Sequence, residues 1–348
     1  MFRLLQNLIS NQTGSRNNRR QRGNAAKRPT TKLAVESLEK REVPSAVNVF
    51  AASAVAPNAE WTVVTSPGGS SVKEYFSSTN TTYSSPGTIP GTIKQLSAGK
   101  TYFDSGDAVF ARDANNNVWE FYRDGTSLSA PVKIATGVID ISGSALSADT
   151  FFGVDTTHSV NEYKAYLGLT QTAVTPLGTP WGGAQASRVS AALDGSTLKE
   201  AVFANFGGNL CEHTAWAGWS IVSGLSGTVT DFSASQIQGD TVFAVNNSAL
   251  VEYVGKGGGI NMPLSYTSST IVSSGVTQVS AGMDANGHAA AFTLSTGGSV
   301  DEYFYEQCPL PPYPGAWFKK HITDVCPIFQ VGLDASQVQS DKVYYMYE

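Results

Sequence analysis

Beyond residue 45 the apolar positions fall into short runs of period two, each broken after a few residues by Gly, Asn, Asp or Ser. Val, Tyr, Phe and Thr fill the runs, which predicts many short strands joined by tight turns. The runs repeat. An apolar-x-Glu-aromatic-like run ends at Tyr75, Phe121, Tyr163, His213, Tyr253 and Tyr303, and carries Glu74, Glu120, Glu162, Glu212, Glu252 and Glu302. These glutamates lie 46, 42, 50, 40 and 50 residues apart. Nine or ten residues before each is a second apolar element, such as Val109-Phe110 or Val202-Phe203, and a turn separates the two. That pair predicts a hairpin.

A third element precedes each hairpin: Leu96-Ser-Ala-Gly99, Ile141-Ser-Gly143, Val189-Ser-Ala191, Phe232-Ser-Ala234 and Val279-Ser-Ala-Gly282. Phe329-Gln-Val-Gly332 continues the series, and Val49-Phe-Ala51 begins it. A weaker fourth element closes several copies, at Val132-Lys-Ile134, Trp219-Ser-Ile221 and residues 317–322. Four short strands per 40–50 residues is the period of a propeller blade. The predicted fold class is therefore all-β: a single β-propeller over residues 46–348, with seven blades favoured, six the alternative, and the last blade incomplete. Seven blades give about 43 residues each, within the usual period.

Period two puts Val118 and Glu120 on one face of their strand, and Trp119 and Phe121 on the other. Blade faces pack on neighbouring blades, so the six repeated glutamates are expected to be partly buried and hydrogen-bonded. One such residue in each of six copies reads as structural, because an active site needs a single constellation. The repeat resembles tectonin-type and related bacterial and fungal lectin propellers over about residues 46–348. Its best copies lead from Leu96-Ser-Ala-Gly99 to Val118-Trp-Glu-Phe121 and from Val279-Ser-Ala-Gly282 to Val300-Asp-Glu-Tyr303. The resemblance implies sugar pockets between blades, often against a Trp with Arg and acidic groups nearby. Here Trp61, Trp119, Trp181, Trp216, Trp219 and Trp317 do not fall at one equivalent position. Two ligand pockets are left as candidates: Trp119 with Arg123 and Asp124, and Trp216 with Trp219. Packing between blades is the competing reading for every one of these tryptophans.

Charge divides the chain. Residues 1–45 carry ten Lys and Arg against three acids, whereas the remainder carries 13 basic and 25 acidic groups. An acidic body argues against nucleic-acid or anionic-membrane partners. The basic head reads as a disordered leader. Its end, Leu38, Glu39, Arg41, Pro44 and Ser45, resembles the leader on many exported proteins of planctomycete-type bacteria. That resemblance implies an extracellular or cell-envelope location. No run of about twenty apolar residues exists to span a membrane.

The candidate chemistry is sparse. The four histidines (His158, His213, His288, His321) are scattered, with no nucleophile or phosphate-loop motif and no zinc spacing. Cys308 and Cys326 flank a proline-rich loop, and both a disulfide and free thiols are open. Asp284-Ala-Asn-Gly287 starts like a calcium loop, but Ser295 stands where the twelfth-position Glu belongs, so a turn is expected. The sequence thus predicts a binding propeller rather than an enzyme, with no cofactor or metal. Its expected partner is a glycan or an envelope protein.

Overall fold

The computed structural model describes residues 50–54, 59–76, 79, 81–102, 106–124, 127–165, 172–222, 227–256, 265–306, 316–324, 330–335 and 343–347. The leader, Cys308, Cys326 and Phe329 lie outside them. Every regular element among the described residues is a strand, and no helix there is long and apolar enough to cross a membrane.

The strands form seven antiparallel sheets, each a meander in chain order. Five sheets have four strands; the second has five, because Val118–Asp124 pairs with both Ser127–Leu128 and Val132–Ala135. The seventh has two among the described residues, Gln330–Ala335 and Val343–Tyr347. The predicted elements occupy consistent places. The Ser-containing element is the first strand of its blade, the paired-apolar element the second, and the Glu motif the third.

The first strands are Phe50–Ala52, Ile93–Lys100, Val138–Gly143, Ala186–Leu193, Val229–Ala234, Val276–Met283 and Gln330–Ala335. Each touches the first strand of the next blade, and the seventh touches the first, so the ring is closed. The backbone N–H of Ala52 donates to Asp334 Oδ2 at 2.7 Å across this last junction.

The core lies between blades rather than within one. Trp61, Val63 and Val72 of blade 1 pack with Leu96, Val109 and Phe121 of blade 2. Phe110 and Val118 on the opposite face of blade 2 pack with Phe151 and Tyr163 of blade 3. The ring of Phe110 lies 5.0 Å from that of Phe151. Val118 and Phe121 therefore take opposite faces, as period two requires. Burying one such aromatic contributes roughly 1.5–3 kcal/mol.

The first strands carry a feature that the alternating pattern did not predict. Their buried apolar residues are three apart, as in Ile93/Leu96, Val138/Ile141, Val229/Phe232 and Val276/Val279. Two buried residues on one strand face should be an even number apart, so one residue is extra. It forms a β-bulge at the same place in six blades, as between Ile93 and Gln95 or between Val229 and Asp231. A bulge re-aims the residues beside it. Here it gives Gln95, Asp140 and Asp231 partners on the adjoining blade.

Candidate functional site

The seams consume three of the predicted ligand residues. Trp119 is half-buried against the core between blades 1 and 2, and its indole N–H donates to Asp113 Oδ2 at 3.0 Å. Arg123, on the same strand face, reaches back to blade 1. Its Nε lies 3.8 Å from Glu74 Oε2, and its guanidinium sits 4.8 Å over the Phe76 ring. Asp124 ends the strand, its backbone paired with Ser127.

Trp219 is likewise a seam residue. Its indole N–H donates to the Leu177 carbonyl of blade 3 at 2.8 Å, and its ring meets Phe206 edge-on at 4.9 Å. Trp216 does not share those partners. It stands on the turn between the third and fourth strands of blade 4 and is 59% exposed, the most of any tryptophan among the described residues. Lys199 Nζ lies 5.8 Å over its ring. Beside Lys199, Leu198 is 72% exposed and holds a left-handed φ of 54°. That conformation is uncommon for a leucine and marks a constrained turn. In a meander the first-to-second and third-to-fourth turns lie at one end of the sheet, which brings Leu198, Lys199 and Trp216 together. Tyr102 and Tyr305 are exposed at the same end of blades 2 and 6.

The repeated glutamates are more deeply buried than partial burial implied. Glu74, Glu120, Glu212 and Glu302 are at most 1% exposed, whereas Glu162 and Glu252 are intermediate. Some have the expected partners: Tyr266 of blade 5 donates to Glu212, and Lys320 lies 3.3 Å from Glu302. The carboxyl oxygens of Glu74 and Glu120 meet no hydrogen-bond donor among the described residues, and Glu120 has the acid of Asp149 on blade 3 close by. Burial, reinforced by Asp149, pushes its carboxyl up to about 8. Burial does the same to Glu74 and Glu212, both to about 8, and to Glu252, to about 7. The acids of Asp240 on blade 5 and Asp194 push the Glu212 carboxyl up further. A buried carboxyl without a cation takes a proton instead.

Around the axis the serines of the first-strand motif form a girdle. The N–H after the motif position donates to the serine of the preceding blade: Gly143 to Ser97, Ala191 to Ser142, Ala234 to Ser190 and Ala335 to Ser280, at 2.8–3.0 Å. Blade 7 continues the girdle with Asp334 in the serine's place, and blade 1 has Ala51 there. Gln236 of blade 5 spans the opening, its Oε1 accepting from Ala145 N of blade 3 at 2.6 Å. Gln236 also lines a cavity of about 100 Å³.

The carboxylates most available for hydrolysis chemistry are separately engaged. Asp231 pairs with Arg188 and accepts from Val279 N, whereas Asp301 pairs with Lys319 and His321. Asp284 caps its own turn, accepting from Asn286 N and His288 N at 2.8 Å. Cys211 is buried and unbridged, and burial pushes its thiol up to about 12. Among the described residues no group of three or more His, Cys, Asp or Glu is placed to hold a metal.

No protein-family model matches the chain. No curated protein matches it either. Among solved structures, the β-propeller domain of Myceliophteria thermophila Cps50 (Swd1) is similar over 83% of this chain and 89% of its own, with a TM-score of 0.56 and 9% identity. The chain folds as a β-propeller. A functionally unknown protein from Desulfotomaculum acetoxidans DSM 771 is similar over 71% of this chain and 75% of its own, at a TM-score of 0.48 and 10% identity. The repeated polar residues of this propeller hold neighbouring blades together.

Proposed function

We propose that this propeller is an exported binding module that takes a carbohydrate at the blade 4 turn. One observation carries the reading: Trp216, with Leu198 and Lys199, presents an indole to solvent while Trp119 and Trp219 are spent in seams. An exposed indole offers an apolar face for the C–H side of a sugar ring, with Lys199 supplying a donor to its hydroxyls. Export rests on the leader motif from Leu38 to Ser45.

The test is a glycan array probed with the full chain, with calcium present and absent. Competable binding that Trp216→Ala abolishes, while the circular dichroism spectrum is unchanged, supports the reading. Binding that survives Trp216→Ala places the sugar elsewhere. A blank array with folded protein favours the second reading, an envelope scaffold. The exposure of Tyr102, Leu198, Trp216 and Tyr305 at one end of the blades supports that alternative, because apolar groups gathered at one end also suit a protein partner.

A further inference from the structure

In a ring built from copies, the residue that departs from the repeat is the informative one. At the girdle position Ser97, Ser142, Ser190, Ser233 and Ser280 are alike, and Asp334 is the single ionisable member. We infer that the axial cavity beside Asp334 is a binding site for one monovalent cation of alkali-metal or ammonium size.

The charges around the axis support this. One layer below the girdle, the bulges place Asp140, Arg188 and Asp231, with Arg112 alongside. Arg188 pairs with Asp231, and both Arg188 and Arg112 act on Asp140, so two acids face two guanidiniums. Among the described residues the girdle layer has no such balance. Asp334 accepts from Ala52 N at 2.7 Å, Ala335 N at 3.0 Å and Ser280 Oγ at 3.1 Å, all neutral donors. Among the described residues no Lys, Arg or His lines the cavity. Three accepted hydrogen bonds favour the carboxylate form, and although burial pushes this carboxyl up to about 6 it stays ionised at neutral pH. Asp334 is half-buried, and a carboxylate so enclosed is stabilised by an opposite charge beside it.

The cavity limits what that charge can be. A cavity of about 100 Å³ has ample room for a small ion with a few waters. The hydroxyls of Ser97, Ser142, Ser190 and Ser233 line it and offer neutral oxygens. A divalent cation of the calcium type draws on several carboxylates, and magnesium dehydrates reluctantly. One carboxylate among hydroxyls suits a single positive charge.

The test follows thermal midpoints of the full chain at pH 7.5 and constant ionic strength, replacing choline chloride stepwise by potassium, sodium or ammonium chloride, or by calcium chloride. The expected result is a saturable rise of several degrees with a monovalent ion. The comparison of potassium with ammonium tells an alkali ion from an ammonium group. Asp334→Ser restores the residue that other blades carry, so it should fold, and its midpoint should not respond. No response in the parent chain, an equal response in Asp334→Ser, or a response to calcium alone overturns the assignment. If Asp334→Ser does not fold, a crystal soaked in rubidium chloride decides. An anomalous peak on the axis within coordination distance of Asp334 upholds the site, and no peak there refutes it.

Discussion

The innermost and outermost strands of the blades obey different rules. Six of the seven first strands share one bulge and five share one serine position, and each touches the first strand of the next blade. The fourth strands share little. Thr172–Gly178, Ser265–Val272 and Ala316–Asp324 are mostly exposed, and the outer edge of blade 2 is split into two short pieces. The reason is geometric. A first strand has neighbours on both sides of the ring as well as within its sheet, so each side chain is fixed by several blades. A fourth strand has one paired neighbour and water beyond it. Repetition in sequence therefore survives where closure constrains it and decays where it does not.

Substitutions at increasing distance from the inner seams should have decreasing effects. Phe110→Ala removes a fully buried ring shared by blades 2 and 3, and should cost about 3–5 kcal/mol in urea unfolding. A loss below about 1 kcal/mol would show that the seams are not the core. Gly143→Ala sharpens the same point, since its Cβ would lie 2.3 Å from the Ala98 carbonyl oxygen and force the first strands of blades 2 and 3 apart.

Protonation of the seams comes next. Glu74, Glu120 and Glu212 hold their protons to about pH 8 when folded, and Glu252 to about 7, against an ordinary value of 4.5. Between those limits the folded chain binds more protons than the unfolded one, so stability falls as pH rises. It is greatest below pH 4.5 as far as these groups are concerned, and is lost through pH 7–8. A tenfold difference in proton affinity between folded and unfolded chain is worth about 1.4 kcal/mol, so a drop of at least ~2 kcal/mol from about pH 5 to about pH 9 is expected. Glu120→Gln mimics the protonated acid and should flatten part of that slope. A stability that rises over the same interval would contradict the protonated seams.

The smallest effects separate girdle from rim. Ser142→Ala leaves Ala191 N without its inter-blade acceptor and should cost about 1 kcal/mol. Val174→Thr, on an outer strand where the side chain is 51% exposed, should stay within about 0.5 kcal/mol. Equal losses at the two sites would remove the distinction between inner and outer strands.

The sequence by itself determined the blade. The spacing of Glu74 through Glu302, the serine motif and the turns marked three strands in each of six copies. Period two assigned Val118 and Phe121 to opposite faces, because backbone geometry alone fixes which side chains share a face. It also held the bulge, legible in retrospect as apolar residues three apart at Val138 and Ile141. Only the tertiary structure decided what each face meets. Trp119 and Arg123 look like a sugar site in the chain, yet ring closure sets them against blade 1. Asp334 looks like any turn-proximal acid until the ring sets it among the serines and beside Ala52, 282 residues away. Contacts between residues so far apart depend on the angle and number of the blades that close the ring, and no local pattern encodes either.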